Sequence, residues 1–116
     1  LGHAYEMASG SGVGLRIEAG RVPILPGARE LAAEGIVPGG SRANALWLAD
    51  KVDFADDVDE ATRLLLCDAV TSGGLLVALP ADVAGAALEA LAARGVEAAL
   101  IGEAVAAHPG RIRVVP

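Results

Sequence analysis

Two glycine-centred stretches carry residue types that could hold a phosphate. The first is Val37-Pro38-Gly39-Gly40-Ser41-Arg42-Ala43-Asn44, entering an expected helix, and the second is Thr71-Ser72-Gly73-Gly74, entering an expected strand. Glycine allows the backbone to approach a ligand closely. Neighbouring N–H groups and hydroxyls can then form an anion cradle, and a helix start adds its dipole. The ligand-facing candidates are therefore Gly39, Gly40, Ser41 and Asn44 with Thr71, Ser72, Gly73 and Gly74, and His3 is a further one. Their expected role is backbone and hydroxyl contact with a phosphate, not proton transfer. Taken singly, each glycine pair also reads as a plain turn. Neither stretch is a P-loop, since Gly-x-x-x-x-Gly-Lys-Ser/Thr is absent. Residues 10–14 are no dinucleotide fingerprint, because they lead into a strand.

Other reactive side chains offer less. His3 and Glu6 stand three residues apart on one expected helix, a spacing that suits a site edge and equally a solvated surface. Cys67 is the single cysteine, so neither an intrachain disulfide nor a Cys-based zinc cluster is available, and a buried inert thiol is expected. The acidic residues between Asp53 and Glu60 read as a solvated loop and helix start in preference to a Mg²⁺ site. Nothing resembles a Ser–His–Asp set or a pair of catalytic carboxylates, so no catalytic residue and no metal ligand is assigned.

The elements that must position these residues follow from periodicity. Residues 1–9 place Leu1, Ala4, Tyr5 and Ala8 on one helical face, and residues 13–18 alternate as a half-buried strand. Ala28, Leu31 and Ala32 form a short helical stripe closed by Gly35. Residues 36–43 read as a loop before a helix over 44–50. Asp57 and Glu60 have capping-box spacing and predict a helix whose inner face is Ala61, Leu64 and Leu65. Residues 75–79 are wholly apolar, as expected of a central strand covered on both faces. Residues 81–94 predict a helix burying Ala84, Leu88 and Leu91, with Gly95 as its stop. Two strands follow, over 98–105 and 111–115, joined at His108-Pro109-Gly110 as an expected hairpin.

The chain has 116 residues, enough for one domain and one core. The composition is 53% hydrophobic with one Phe, one Trp and one Tyr, so the core must be aliphatic and closely packed. A net charge of −6 with one lysine, Lys51, argues against a nucleic-acid partner, which needs a basic patch. No apolar run approaches the ~20 residues of a membrane helix and no signal peptide is present, so the expected location is cytoplasmic. Interleaved helices and strands predict an α+β domain with a mixed sheet flanked by helices. The chain opens on Leu1 inside an apparent element, which reads as the carboxy-terminal piece of a two-domain protein.

Three stretches, in order, resemble the selenophosphate synthetases (selenide, water dikinases). Leu1-Gly2-His3-Ala4-Tyr5-Glu6-Met7 resembles their Leu-Gly-His-x-x-Glu-Met helix. Residues 37–44 are similar to their Val-Pro-Gly-Gly-Thr-x-x-Asn loop, with Ser41 in place of Thr and Ala43 where a polar residue is common. Residues 68–76 resemble their Asp-x-Gln-Thr-Ser-Gly-Gly-Leu-Leu segment, with Val70 in place of Gln. Ala99-Leu100-Ile101-Gly102-Glu103 also fits. The resemblance implies the α/β/α carboxy-terminal domain shared with aminoimidazole ribonucleotide synthetase and thiamine-monophosphate kinase. It further implies an enzyme that makes selenophosphate from ATP, selenide and water, releasing AMP and phosphate. That enzyme uses ATP and Mg²⁺ and works as a homodimer. Its reactive Cys or selenocysteine, key Lys and most metal-binding Asp residues lie in the amino-terminal half, so this domain alone is expected to be inactive and to hold no cofactor tightly. Two alternatives stay open, a structural or docking domain and a kinase of another small acceptor.

Overall fold

Gly14–Glu18 forms β1, and its alternation turns Ile17 into the core while Arg16 faces away. In the computed structural model, which describes residues 1–70 and 72–116, β1 is one of two central strands. The others are β2 (Val52–Phe54), β3 (Gly102–Val105) and β4 (Ile112–Val115), in the order β2-β4-β1-β3. β1 and β2 both run parallel to β4, and β1 runs antiparallel to β3, so the sheet is mixed. The helices are α1 (Gly2–Ser11), α2 (Ala28–Ala33), α3 (Gly39–Leu48), α4 (Glu60–Leu66) and α5 (Ala81–Ala92). The expected α+β class holds.

One face of the sheet builds the core. Ile17, Val52, Ile112 and Val114 meet Ala4 of α1, Leu48 of α3, and Leu66 and Cys67 at the end of α4. α2 lies against α4, where Arg29 donates to the Thr62 hydroxyl at 2.9 Å. The opposite face carries a row of charges across all four strands, since Asp53 pairs with Arg113, Arg113 with Arg16, and Arg16 with Glu103. Arg16 bonds Glu18 at 2.8 Å, and Arg111 bonds Asp53 at 3.2 Å. These pairs are largely exposed, so they keep the face polar more than they stabilise it.

Several elements depart from the sequence expectations. β2 was not anticipated; three residues are too few for alternation to register. β3 and β4 are not a hairpin, because β1 lies between them and takes the ladder bonds of both. Residues 75–79 take no place in the sheet. Each of the two central strands, β1 and β4, already has a partner on both sides, and the segment lies in the open, with Leu75 95% exposed. An apolar run signals a need for cover, not where that cover comes from. In the same stretch α5 forms as expected and Gly95 follows it with φ of 72°, but no α5 residue is buried.

α4 is capped by Asp59, not Asp57. The Asp59 carboxylate accepts from Thr62 N and Thr62 Oγ1, both at 2.9 Å. Packing against the sheet and α2 buries Thr62 and Leu66, and Ala61, Leu64 and Leu65 are only half-covered. The backbone N–H of Thr62, then its hydroxyl, holds the Asp59 carboxyl below the ordinary range. A depressed carboxyl stabilises above its unfolded pKa and loses that contribution as pH falls through its folded pKa. Asp59→Ala should cost about 1 kcal/mol at neutral pH, and its gap to wild type in thermal unfolding should narrow as pH drops below the usual Asp range.

β3 can lie beside β1 only because Gly102 has no side chain, since a Cβ there would collide with the Arg16 carbonyl oxygen. Gly102→Ala should therefore cost about 2 kcal/mol, seen as a lower urea midpoint with an unchanged slope.

Candidate ligand site at the start of α3

α3 begins five residues earlier than the sequence predicts, at Gly39 instead of Asn44. Pro38 is its N-cap, with φ −55° and ψ 144°, and the Pro38 carbonyl accepts from Ser41 N at 3.1 Å and Arg42 N at 3.4 Å. Gly-Gly is a poor helix former, so propensity argues for a loop. Packing overrides it: a Cβ on Gly40 would stand 3.0 Å from the Ala69 Cβ, so the glycine lets this first turn press on the segment after α4.

Two side-chain bonds fasten that contact. Ser41, fully buried, donates its hydroxyl to Asp68 Oδ1 at 2.5 Å, and Asn44 Nδ2 donates to the Cys67 carbonyl at 3.0 Å. The two stretches singled out in the sequence thus meet, 27 residues apart at the Ser41–Asp68 bond. Beside them is a cavity of about 500 Å³ whose wall includes His3 and Glu6 of α1, Asn44 and Trp47 of α3, and Asp68 to Val70.

The candidates therefore fall into groups. His3 and Asn44 line the cavity, while Ser41 is turned inward and its hydroxyl is engaged by Asp68. Gly39 and Gly40 are exposed in the first turn of α3, and Ser72, Gly73 and Gly74 are exposed beyond Asp68. Thr71 lies outside the described residues. Sequence reasoning did not assign Asp68 or Trp47 to the site. Asp68 stood inside a quoted motif, and its partnership with Ser41 was invisible without the fold. Trp47 carried a composition signal, being the only tryptophan.

Cys67 caps α4 and is 2% exposed. Burial pushes its thiol above the ordinary range. A thiol raised in this way is a poor nucleophile. Among the described residues no group of three or more His, Cys, Asp or Glu side chains comes together. The described residues thus offer no carboxylate cluster for a Mg²⁺ ion held by this domain alone. No helix among them is long and apolar enough to cross a membrane.

Ser41→Ala should cost about 2 kcal/mol, the scale of a hydrogen bond to a charged group. Ser41→Thr should recover most of it in circular-dichroism melts; an alanine variant as stable as wild type would show that the bond contributes nothing.

Comparison with known proteins bears on what this arrangement is. The family profile described as AIR synthase related protein, C-terminal domain, matches residues 1–115. The chain is 42% identical over 110 residues to a selenide, water dikinase of Myxococcus xanthus, covering 95% of this chain and 31% of that protein. It is 40% identical over 110 residues to the selenide, water dikinase of Pseudomonas straminea, covering 94% and 31%. For that of Pelobacter propionicus the identity is 45% over 106 residues, covering 90% and 30%. The chain thus spans about a third of the length of these curated relatives. With the profile matched across nearly every residue, the chain belongs to the AIR synthase related protein, C-terminal domain family.

Proposed function

We propose that this chain is the carboxy-terminal domain of an ATP-dependent selenophosphate synthetase, which makes selenophosphate, AMP and phosphate from ATP, selenide and water. The observation that carries this is the 40–45% identity, over nine-tenths or more of the chain, to proteins named selenide, water dikinase, which supports the reaction class. The bonds Ser41–Asp68 and Asn44–Cys67 join the 39–44 and 67–74 stretches into one surface. In this reading the domain closes over an amino-terminal domain that supplies the reactive groups, ATP and Mg²⁺, and the whole works as a cytoplasmic homodimer. The chain alone turns nothing over. Phosphoryl transfer asks mainly for positioning and charge stabilisation. The exposed N–H groups of Gly39 and Gly40, at the positive end of a ten-residue helix, and the backbone and hydroxyl of residues 72–74 are the groups offered for it.

A second reading, a docking module, is favoured by one specific observation. Leu75, Val77, Leu79 and Val83 are 95%, 63%, 49% and 43% exposed, a run of apolar surface that suits contact with another domain.

Gly74 has open space around the position of a Cβ, so Gly74→Ala and Ser72→Ala perturb the loop without crowding it. In the two-domain protein each should lower AMP formation about tenfold or more with an unchanged melting temperature. Full turnover in both variants would sink the positioning role and favour docking.

A further inference from the structure

A second cavity, of about 420 Å³, opens between α3, α4 and the edge strand β2. Its apolar lining includes Ala45 and Ala49 of α3, Phe54 of β2 and Leu64 of α4. Its charged lining holds both signs, with Glu60 and Arg63 on α4, Asp53 on β2 and Arg113 on β4. That size and that mixture suit a small amphipathic molecule.

The charges around this cavity do not satisfy one another. Glu60 and Arg63 stand one turn apart on α4, a spacing that ordinarily closes into an ion pair. Among the described residues no salt bridge joins them, because Arg63 is held elsewhere. Its Nε donates to the Val58 carbonyl at 2.7 Å and its Nη2 to the Ala55 carbonyl at 3.2 Å, and the guanidinium lies 5.2 Å from the Phe54 ring centroid. Arg63 is thus fixed without being neutralised, and it keeps N–H donors for a planar carboxylate. Asp53 and Arg113 repeat the pattern. They are register partners on neighbouring strands, yet Asp53 bonds Arg111 at 3.2 Å, and Arg113 has no carboxylate partner among the described residues.

Two arginines and Glu60 therefore line one cavity without counter-ions. A simple anion would leave Glu60 opposed, and a simple cation would leave both arginines opposed. A molecule with both charges a few bonds apart answers all three, and an apolar side chain answers the aliphatic wall. We infer that the cavity binds a free α-amino acid with an apolar side chain. Its carboxylate pairs with Arg63 and Arg113, its ammonium with Glu60, and its side chain packs on Ala45, Ala49 and Leu64. The inference goes beyond the phosphoryl-transfer reading and does not depend on it. The two sites share a helix pair, since Asn44 holds the Cys67 carbonyl and Cys67 lines this cavity.

The test titrates the isotopically labelled 116-residue chain with leucine, with isocaproate, which lacks the amino group, and with isoamylamine, which lacks the carboxylate. Leucine should shift the Ala45, Ala49 and Leu64 amides saturably. Isocaproate should bind about tenfold more weakly, and isoamylamine should move nothing. Arg113→Gln and Glu60→Gln, both at exposed positions, should each weaken leucine binding about tenfold while the rest of the spectrum stays folded. No saturable shift with leucine, or wild-type affinity in either variant, overturns the inference. Isocaproate binding as tightly as leucine also overturns it, leaving a plain carboxylate site in place of a zwitterion site.

Discussion

The candidate site depends on one buried hydroxyl. Ser41 is fully enclosed in the first turn of α3, and its bond to Asp68 joins that turn to the segment leaving α4. It is one of two side-chain bonds that tie the start of α3 to residues 67–68. With it, and with Asn44 on the Cys67 carbonyl, they form one surface whose spacing is set by Gly40 resting on Ala69. A buried hydroxyl lacking its partner costs free energy, so the contact also disfavours conformations in which the two segments part.

The core explains why that contact is held in place. α3 and α4 are each anchored by a residue near their carboxy end, Leu48 and Leu66, on the sheet face built from Ile17, Ile112 and Val114. Their mutual orientation is therefore a property of the core, and the Ser41–Asp68 bond reads it out at the surface. The loop carrying the candidate groups is mounted on a rigid frame, the arrangement expected of positioning chemistry.

Much of this was legible in the sequence, and the misses have physical causes. Helices α1 and α2 and strands β1 and β4 follow from periodicity that local chemistry and burial both support, whereas α5 forms where periodicity places it with no residue buried. The start of α3 was misplaced because Gly39-Gly40 argues against a helix locally, whereas packing against Ala69 demands it. The α4 register slipped because Asp57 and Asp59 both suit a cap, and only Asp59 reaches Thr62 N. Strand order was hidden: Gly102 gave no sequence sign that its β3 would sit against β1 at the Arg16 carbonyl. Of the site, the two glycine stretches were visible as motifs, but their meeting was not. Ser41, read from sequence as a ligand-facing hydroxyl, is engaged with Asp68, and that outcome depends on a partner 27 residues away.

The central claim, that the two stretches act as one unit through Ser41 and Asp68, is tested most directly by a double-mutant cycle in stability. Ser41→Ala, Asp68→Ala and the double variant are compared with wild type by urea unfolding. The account predicts a coupling of about 1–2 kcal/mol between the two sites. Strict additivity would contradict it and leave two independent surface features.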